Sequence, residues 1–475
     1  MDDYDLVIIG TGSAMNLLEP YLEKHPGARV AVIDKDEPGG ICLTQGCIPT
    51  KLLVQAADTV RLIEGASSFG ITAPIQAIDF AMVMANMRQH VDAAIGEIRQ
   101  GLRSSESFEY FPQAARFVAP RELSLGDRRI RGKSILLCTG SKPLIPDVDG
   151  LKDVNYHTSD TILHITELPK SMLIMGGGYI AAEYGHFFSA MGTDVTILGR
   201  NPQFLPAEEP EIAAVVLNQM RQHMRIETGW EIKRIQQTSN GIRVQCDAKD
   251  VAREVEAQTL LVAAGRASNS DVLDPAAGGI AVDEAGWIKT DEYLETSQPG
   301  VWAFGDANGK HQFKHKANHE SILVWRNAFG GEHVKAVYDA VPRAVFTHPQ
   351  VAAVGLGEKE AVARHGRDGI LVGFQRYEDT AKGKAMHSHD HFVKAIVLRE
   401  DLAILGAHIV GPEASTLIQE IINLMGAPHA NAQSIVDAMH IHPALPEVVQ
   451  RAFSNLMTVE DYHQRLDEAG LVRHP

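Results

Sequence analysis

The sequence predicts an α/β protein with two nucleotide-binding units of the strand, glycine turn and helix type, followed by a C-terminal α+β domain. One short apolar run ends in Gly10 and Gly12, and a second ends in Gly176 and Gly178. A glycine turn between a buried strand and a helix is typical of such a unit. After Pro342 the pattern changes to strand-like runs followed by helical ones, which indicates a separate domain.

The first unit consists of an apolar strand at residues 4–9, a segment that can be helical, and a second strand at residues 29–34. Glycine lets the backbone approach a pyrophosphate, whose charge then lies at the positive end of the helix. Asp34 stands where an acid that binds the ribose is expected, whereas Met15 departs from the third glycine of the pattern. A tight turn in another kind of α/β domain is the alternative.

The second unit is more complete, because Gly176, Gly178 and Ala181 have the full spacing. An enzyme that selects NADH places an acid at the tip of the second strand, but this chain has Gly199 and Arg200 there. A guanidinium suits a 2'-phosphate, so we expect a preference for NADPH. The alternative is that Arg200 is a solvated loop charge.

Further strands stop at a glycine after each unit, at Gly140 and Gly265, and a third strand at residues 301–306 ends in Asp306. Beyond Pro342, strands are expected at residues 345–349, 392–398 and 403–410, and helices at 415–425 and 432–439. We therefore divide the chain into a first segment (residues 1–146), a second nucleotide unit (147–268), a central segment (269–340) and a C-terminal domain (341–475).

Composition excludes several classes of protein. The formal net charge of −16 over 475 residues argues against nucleic acid and membrane surfaces as partners. The first residues lack a basic segment, and no apolar run is long enough to span a bilayer, so neither a signal peptide nor a membrane helix is expected. Only four cysteines occur, which indicates a reducing compartment, and we expect a cytoplasmic protein.

The most specific feature is the run Cys42-Leu-Thr-Gln-Gly-Cys47, directly after the first unit. Two cysteines five apart can form a strained bridge across a distorted helical turn, and such a bridge is suited to redox cycling. A structural staple and half of a metal site are the alternatives, although a metal would need two more soft ligands. Cys138 and Cys246 lie in strand-like runs and are expected to be buried structural thiols.

With these motifs in this order, the chain resembles the pyridine nucleotide-disulfide oxidoreductases, the group that contains dihydrolipoamide dehydrogenase, glutathione reductase and mycothione reductase. The run that ends in Lys51, the turn that leads to Glu183 and the segment from His440 to Glu447 carry the resemblance. It implies Rossmann-like FAD- and NAD(P)-binding domains, a dimerisation domain, and an enzyme that uses FAD with NADP or NAD. The expected activity passes electrons from the nucleotide through the flavin and the cysteine pair to a small disulfide.

The resemblance also implies roles for individual residues. Gly10, Gly12 and Asp34 would hold the adenosine half of FAD, and Asp306 would bind its ribityl chain. Other cofactor contacts are implied for Gly140, Ala317, Gly176, Gly178, Tyr179, Ala181, Arg200 and Gly265.

At the reactive end, Cys47 would face the flavin as the charge-transfer thiolate and Cys42 would exchange with substrate. Lys51 would lie near the flavin N5, paired with Glu183. His442, oriented by Glu447, would move protons at the dithiol of the other subunit of a homodimer, whereas His440 is assigned a structural role.

Other functions remain open at this stage. The same residues suit a dihydrolipoyl dehydrogenase that oxidises dihydrolipoamide with NAD+. A mercuric reductase fits less well, because the segment 470–475 lacks that family's additional cysteine pair. A function of another class is a docking subunit of a multienzyme complex.

Overall fold

The computed structural model describes residues 1–249 and 251–471. Its strands are β1 (Asp2–Ile9), β2 (Val30–Ile33), β3 (Glu109–Phe111), β4 (Arg116–Ala119), β5 (Glu122–Leu125), β6 (Arg128–Leu137), β7 (Ser141–Pro143), β8 (His157–Thr158), β9 (Ser171–Met175), β10 (Asp194–Gly199), β11 (Arg225–Thr228), β12 (Glu231–Thr238), β13 (Gly241–Ala248), β14 (Val251–Ala257), β15 (Thr259–Val262), β16 (Arg266–Ser268), β17 (Val301–Ala303), β18 (Arg343–Val345), β19 (Val351–Gly355), β20 (Ile370–Arg376), β21 (Phe392–Leu398), β22 (Ile404–Val410) and β23 (Leu456–Met457).

The α-helices are α1 (Leu18–Lys24), α2 (Gly40–Thr44), α3 (Cys47–Gly65), α4 (Phe80–Ser104), α5 (Tyr179–Met191), α6 (Pro210–Met220), α7 (Lys314–Val324), α8 (Glu358–His365), α9 (Ala381–Ala385), α10 (Ala414–Met425), α11 (Ala432–Asp437), α12 (Pro446–Ser454) and α13 (Val459–Glu468). No helix in the described parts of the chain is both long enough and apolar enough to cross a membrane.

Three sheets confirm the predicted α/β fold class. The first has the order β3-β2-β1-β6-β5-β4, with β17 also paired to β6. The strands β3, β2, β1, β6 and β17 run parallel, and β2 is buried along its whole length, as expected of a strand in a covered parallel sheet. The second sheet is parallel with the order β11-β10-β9-β15-β8.

The two parallel sheets place their glycine turns at equivalent positions. Gly10 follows β1, which lies between β2 and β6, and Gly176 follows β9, which lies between β10 and β15. Strand order reverses at both points, and ligands bind in such sheets at the carboxyl ends of the strands beside a reversal. The third sheet, with the order β18-β19-β22-β21-β20-β23, is antiparallel and carries α10 and α12.

Five local expectations are wrong. The strands expected to stop at Gly140 and Gly265 end three residues earlier, at Leu137 and Val262, and the strand expected at 301–306 gives way to a 3-10 helix at Gly305–Asn308. The strand expected at 345–349 ends at Val345, because the next backbone N–H donates to the Glu183 carboxylate instead of to a neighbouring strand. Cys138 follows β6 and is only half-buried, whereas Cys246 is buried as expected.

Candidate active site

A cavity of about 720 Å³ lies at the carboxyl end of the first sheet and extends to α5. Its volume is within the range of sites for cofactors and other small molecules. Predicted site residues that line it are Gly10, Gly12, Asp34, Cys42, Cys47, Lys51, Gly140, Tyr179, Glu183, Asp306 and Ala317. Among the described residues, the predicted ones outside its lining are Gly176, Gly178, Ala181, Arg200, Gly265, His442 and Glu447.

Glycine is required at the turns of both units. Gly10 has φ +102°, and a Cβ there would lie 2.2 Å from the carbonyl oxygen of Cys138. The second unit repeats this arrangement, since a Cβ on Gly176 (φ +136°) would lie 2.2 Å from the carbonyl oxygen of Ala263. In each unit the glycine turn therefore lies against the backbone that follows a parallel strand. The N–H groups at the start of the following helix are then free to bind a phosphate.

The glycine loop after β2 approaches the first turn closely. Gly40 has φ +73°, and a Cβ on it would lie 2.7 Å from the Cα of Gly12. Two glycine loops therefore meet at the wall of the cavity, next to α2 and its Cys42. This cradle fits the pyrophosphate of a dinucleotide such as FAD.

Asp34 lies directly after β2 and is held by the first turn. One of its carboxylate oxygens accepts hydrogen bonds from the backbone N–H and the hydroxyl of Thr11, at 2.8 and 2.6 Å. Burial raises the pKa of Asp34, although these bonds oppose the rise. Thr11 stands between the two glycines, and its contribution was not foreseen from the sequence.

Asp306 lies on the 3-10 turn after β17 and accepts a hydrogen bond from the Ser141 hydroxyl at 2.6 Å. A buried ion pair that the sequence analysis missed supports the turn. Lys316 and Glu320 are 2.9 Å apart, and they bond respectively to the carbonyl and the N–H of Gly305, at 3.0 and 2.7 Å. Their spacing of four residues on one helix was the available signal.

The two cysteines line the cavity as thiols on consecutive helices. Cys42 lies within α2, and Cys47 is the first residue of α3. A hydrogen bond from the Cys47 thiol lowers the pKa of Cys42 to about 7, and the positive charges of Lys314 and Lys51 add to the effect. The same hydrogen bond raises the pKa of Cys47. The pair therefore releases its first proton near neutral pH, with the charge mainly on Cys42.

Lys51 and Glu183 come together across α3 and α5. The Lys51 ammonium contacts both carboxylate oxygens of Glu183, at 2.7 and 2.9 Å, and Glu183 also accepts the N–H of Phe346 at 3.1 Å. Tyr179 lies one turn earlier on α5 and on the same face. The ion pair thus joins α3, which carries Cys47, to α5, which follows the glycine turn of the second nucleotide unit.

His442 and Glu447 form a second acid-base pair, which does not line the cavity of the same chain. The Nδ1 of His442 lies 3.0 Å from a Glu447 oxygen, and this hydrogen bond is the main cause of the lowered pKa of Glu447. The His442 side chain is 67% exposed, and the neighbouring Met439 and Ile441 are exposed as well. Among the residues that the structure describes, none after Ala344 in the sequence lines the cavity. His440, by contrast, is tied to Glu420 at 2.9 Å.

The residues proposed for the second nucleotide lie around the start of α5. Gly178 precedes this helix, and Ala181 is fully buried within it, where only a small side chain fits. Arg200 is exposed directly after β10, and Gly265 follows β15 with φ +128°. An exposed guanidinium at the tip of β10 is available to an anionic group.

Three carboxylates that converge elsewhere are already neutralised. Glu209, Glu211 and Glu358 approach one another closely enough to hold a metal ion. The buried ammonium of Lys394 lies between them, at 2.6, 2.5 and 2.8 Å. This cluster is therefore an ion-pair contact between α6 and the third sheet.

Comparison with known proteins gives matches along the chain. The pyridine nucleotide-disulphide oxidoreductase family matches residues 4–330, and the dimerisation domain of the same family matches residues 341–453. Mycothione reductase of Mycobacterium tuberculosis is 37% identical over 473 residues, which cover 96% of this chain and 100% of the relative. Dihydrolipoyl dehydrogenase of Chlamydia muridarum is 32% identical over 456 residues, which cover 94% and 95%.

A solved structure is similar over the same extent. The flavoprotein disulfide reductase RclA of Escherichia coli, in its Cu(II) complex, superimposes with a TM-score of 0.83 at 28% identity. The match covers 96% of this chain and 99% of that one.

Proposed function

The chain belongs to the pyridine nucleotide-disulphide oxidoreductase family, and from this premise we propose that it reduces a small disulfide with NADPH through FAD and the Cys42/Cys47 pair. The observation that carries the proposal is the cavity, which the Lys51–Glu183 pair lines together with a dithiol whose Cys42 has a lowered pKa. The two glycine loops and Asp34 suit the adenosine and pyrophosphate portions of FAD, and Asp306 suits its ribityl chain.

The bound flavin would supply the transfer of two electrons from the nicotinamide to the Cys42–Cys47 disulfide. The Cys42 thiolate then attacks one sulfur of the substrate, which forms a mixed disulfide and releases one thiolate. His442 gives that thiolate a proton, and Glu447 keeps the imidazole in the required tautomer. Cys47 attacks the Cys42 sulfur, which releases the second thiol and restores the bridge. One NADPH and one proton are used for each disulfide reduced.

We propose that His442 acts on the dithiol of the partner subunit. Its exposed position, apart from the cavity lining and beside two exposed apolar side chains, supports a shared site across a two-fold interface. The match to the dimerisation domain supports the same assembly.

Subunit mixing tests the shared site. A Cys42→Ser chain and a His442→Gln chain are each expected to be inactive, but their heterodimer has one complete site if His442 crosses the interface. Random mixing then restores about a quarter of the parental activity, since half of the dimers are mixed and each has one intact site. If Cys42 and His442 act within one chain, mixing restores nothing.

The substrate class follows from similarity rather than from geometry. We propose a low-molecular-weight disulfide of the mycothione type, because the Mycobacterium relative is a mycothione reductase and the match covers 96% of this chain. The second candidate, oxidation of dihydrolipoamide with NAD+, is supported by the Chlamydia relative. Exposed Arg200 at the tip of β10 favours NADPH and hence the first. We propose the cytoplasm as the compartment in which the pair cycles.

The test of the function combines thiol counting with a substrate panel. Anaerobic NADPH should expose two additional thiols per chain of the holoenzyme, which alkylation and peptide mapping should assign to Cys42 and Cys47. Disulfides of mycothiol, glutathione and lipoamide are then assayed with NADPH and with NADH. If NADPH exposes no new thiol, or if Cys47→Ser reduces disulfides at the parental rate, the dithiol mechanism is wrong.

A further inference from the structure

Glu208 is a buried carboxylate beside the nucleotide end of the cavity, and the family comparison assigns it no role. Its side chain is fully buried in the loop between β10 and α6. One of its oxygens accepts the Tyr179 hydroxyl at 3.3 Å and the Nε of Arg343 at 2.8 Å. Its other oxygen is buried and has no hydrogen-bond partner among the described residues.

These contacts hold the Tyr179 side chain from two sides. Its hydroxyl is tied to Glu208, and its ring stacks on Phe313 with centroids 6.3 Å apart and planes inclined by 28°. Both rings line the cavity, and Tyr179 lies one helical turn from Glu183 on the same face of α5. The Tyr179 ring thus covers the wall of the cavity next to the Lys51–Glu183 pair.

Glu208 itself is fixed by a different sheet. Arg343 lies on β18 of the third sheet, and besides its bond to Glu208 it donates to the carbonyl oxygen of Ala207 at 2.9 Å. The carboxylate therefore cannot follow the tyrosine if the ring turns away. Breaking the bond at 3.3 Å costs little, because this distance is long for a hydroxyl donor.

We propose that Glu208, anchored by Arg343, is a positioning residue that holds Tyr179 against the cavity and so sets how readily the nicotinamide nucleotide enters. The inference rests on the proposed function, in which the nucleotide docks beside Tyr179. A ring held in place leaves only a fraction of the protein competent to bind, and the apparent dissociation constant rises by the reciprocal of that fraction. Release of the ring should therefore tighten nucleotide binding without a gain in kcat.

Two variants test the inference by different routes. Tyr179→Phe removes only the hydroxyl and leaves the Glu208–Arg343 ion pair intact, whereas Glu208→Gln removes the charge that the hydroxyl faces. Each should lower the KM for NADPH by about threefold to tenfold, the range for a long hydrogen bond to an anionic acceptor. Because both act on one bond, the double variant should show no further decrease.

A matched control separates positioning from general stability. Tyr462 also donates to a buried carboxylate, that of Glu211 at 2.7 Å, but it does not line the cavity. Tyr462→Phe should lower the melting temperature and leave the KM for NADPH at the parental value.

The outcomes distinguish this inference from the function on which it rests. A parental enzyme that oxidises NADPH, together with an unchanged KM in Tyr179→Phe, overturns the positioning role alone. Effects of Tyr179→Phe and Glu208→Gln that add in the double variant also overturn it, as does a fall in kcat at constant KM. A parental holoenzyme that does not oxidise NADPH overturns both proposals.

Discussion

The hydrogen bond between the two cysteines predicts how the reactivity of Cys42 depends on pH. With its pKa at about 7, half of Cys42 is thiolate at pH 7. Replacement of Cys47 by alanine removes the donor, and the pKa should return toward the ordinary value of about 8.5, which leaves roughly 3% thiolate at pH 7. The thiolate fraction thus falls about 16-fold for this shift of 1.5 units.

Intrinsic nucleophilicity offsets part of that loss. Attack on a disulfide becomes faster as the pKa of the thiol rises, with a Brønsted coefficient of about 0.4 to 0.5, so 1.5 units give about a fivefold gain. The net decrease in rate at pH 7 is then only about threefold. The midpoint of the pH profile, which should move from about 7 to about 8.5, is the more sensitive measurement.

The assay measures release of a chromophoric thiol from a neutral aromatic disulfide by pre-reduced protein, without oxygen, between pH 5 and 10. His442→Gln serves as the common background, so that the measured profile reports the cysteine pair without proton transfer from the imidazole. Cys47→Ser is the matched control, because a hydroxyl can still donate to the Cys42 sulfur and should keep a midpoint below that of the alanine variant. Equal midpoints in the parent and in Cys47→Ala would refute the reasoning.

Three further predictions concern the nucleotide, the ion pair and acid stability. Arg200→Leu should lower kcat/KM for NADPH about tenfold, because one charge-assisted hydrogen bond to a phosphate is lost, and should leave kcat/KM for NADH at the parental value. The control is Arg225→Leu, which removes an exposed arginine on β11. An equal loss with both nucleotides would contradict the prediction. Lys51→Met and Glu183→Gln should each lower kcat/KM, and a double-mutant cycle should give a coupling energy of about 1 to 2 kcal/mol. This coupling energy is smaller than that of a fully buried pair because the Lys51 side chain is 35% exposed. Strictly additive effects would show that the pair does not act as a unit. Burial lowers the pKa of His391 to about 4, below its unfolded value of about 6.5. Its contribution to the free energy of unfolding, at most about 3 kcal/mol, is therefore complete above pH 6.5 and is lost as the pH falls toward 4. His391→Gln should flatten the acid side of the plot of melting temperature against pH, and an unchanged slope would contradict this.

The sequence predicted those features that depend on local backbone rules. Turns at Gly10 and Gly176 follow from the need for a residue without Cβ where the chain approaches the backbone after a neighbouring strand, since a Cβ there would lie 2.2 Å from a carbonyl oxygen in both units. The bounds of α10 also lie within a residue of the expected ones, because apolar periodicity and the following glycine mark them. Strand ends were less predictable, as at Val345, where a carboxylate distant in sequence takes the next N–H.

Contacts between distant segments could not be read from the chain alone. The resemblance paired Lys51 with Glu183 across 132 residues, but nothing local in either segment indicates the pair. Thr11, Lys316 and Glu208 were missed because their residue types are ordinary and their roles come from burial. Cys138 was expected to be buried because its run is apolar, but β6 ends one residue before it and its side chain lines the cavity.

Both nucleotide units have a glycine turn that lies against a backbone carbonyl. The difference in the reactive side chains that they present therefore comes from the segment that follows the second strand of each unit. After β10 the chain continues through the loop that carries Glu208, and Arg200 is the exposed charged side chain that directly follows the strand. After β2 it turns at Gly40 against Gly12 and enters the two helices that carry the cysteines.

The longer of those helices, α3, then packs along α5 of the second unit. Asp58 on α3 contacts His186 on α5 at 2.8 Å, further along the same two helices than the Lys51–Glu183 pair. With the hydrogen bond from Arg61 to the Ser189 hydroxyl at 2.8 Å, three polar contacts along this helix pair resist both sliding and rotation. The dithiol helix and the nucleotide helix are therefore held relative to each other, and in the proposed function it is the Tyr179 side chain that adjusts when a nucleotide enters.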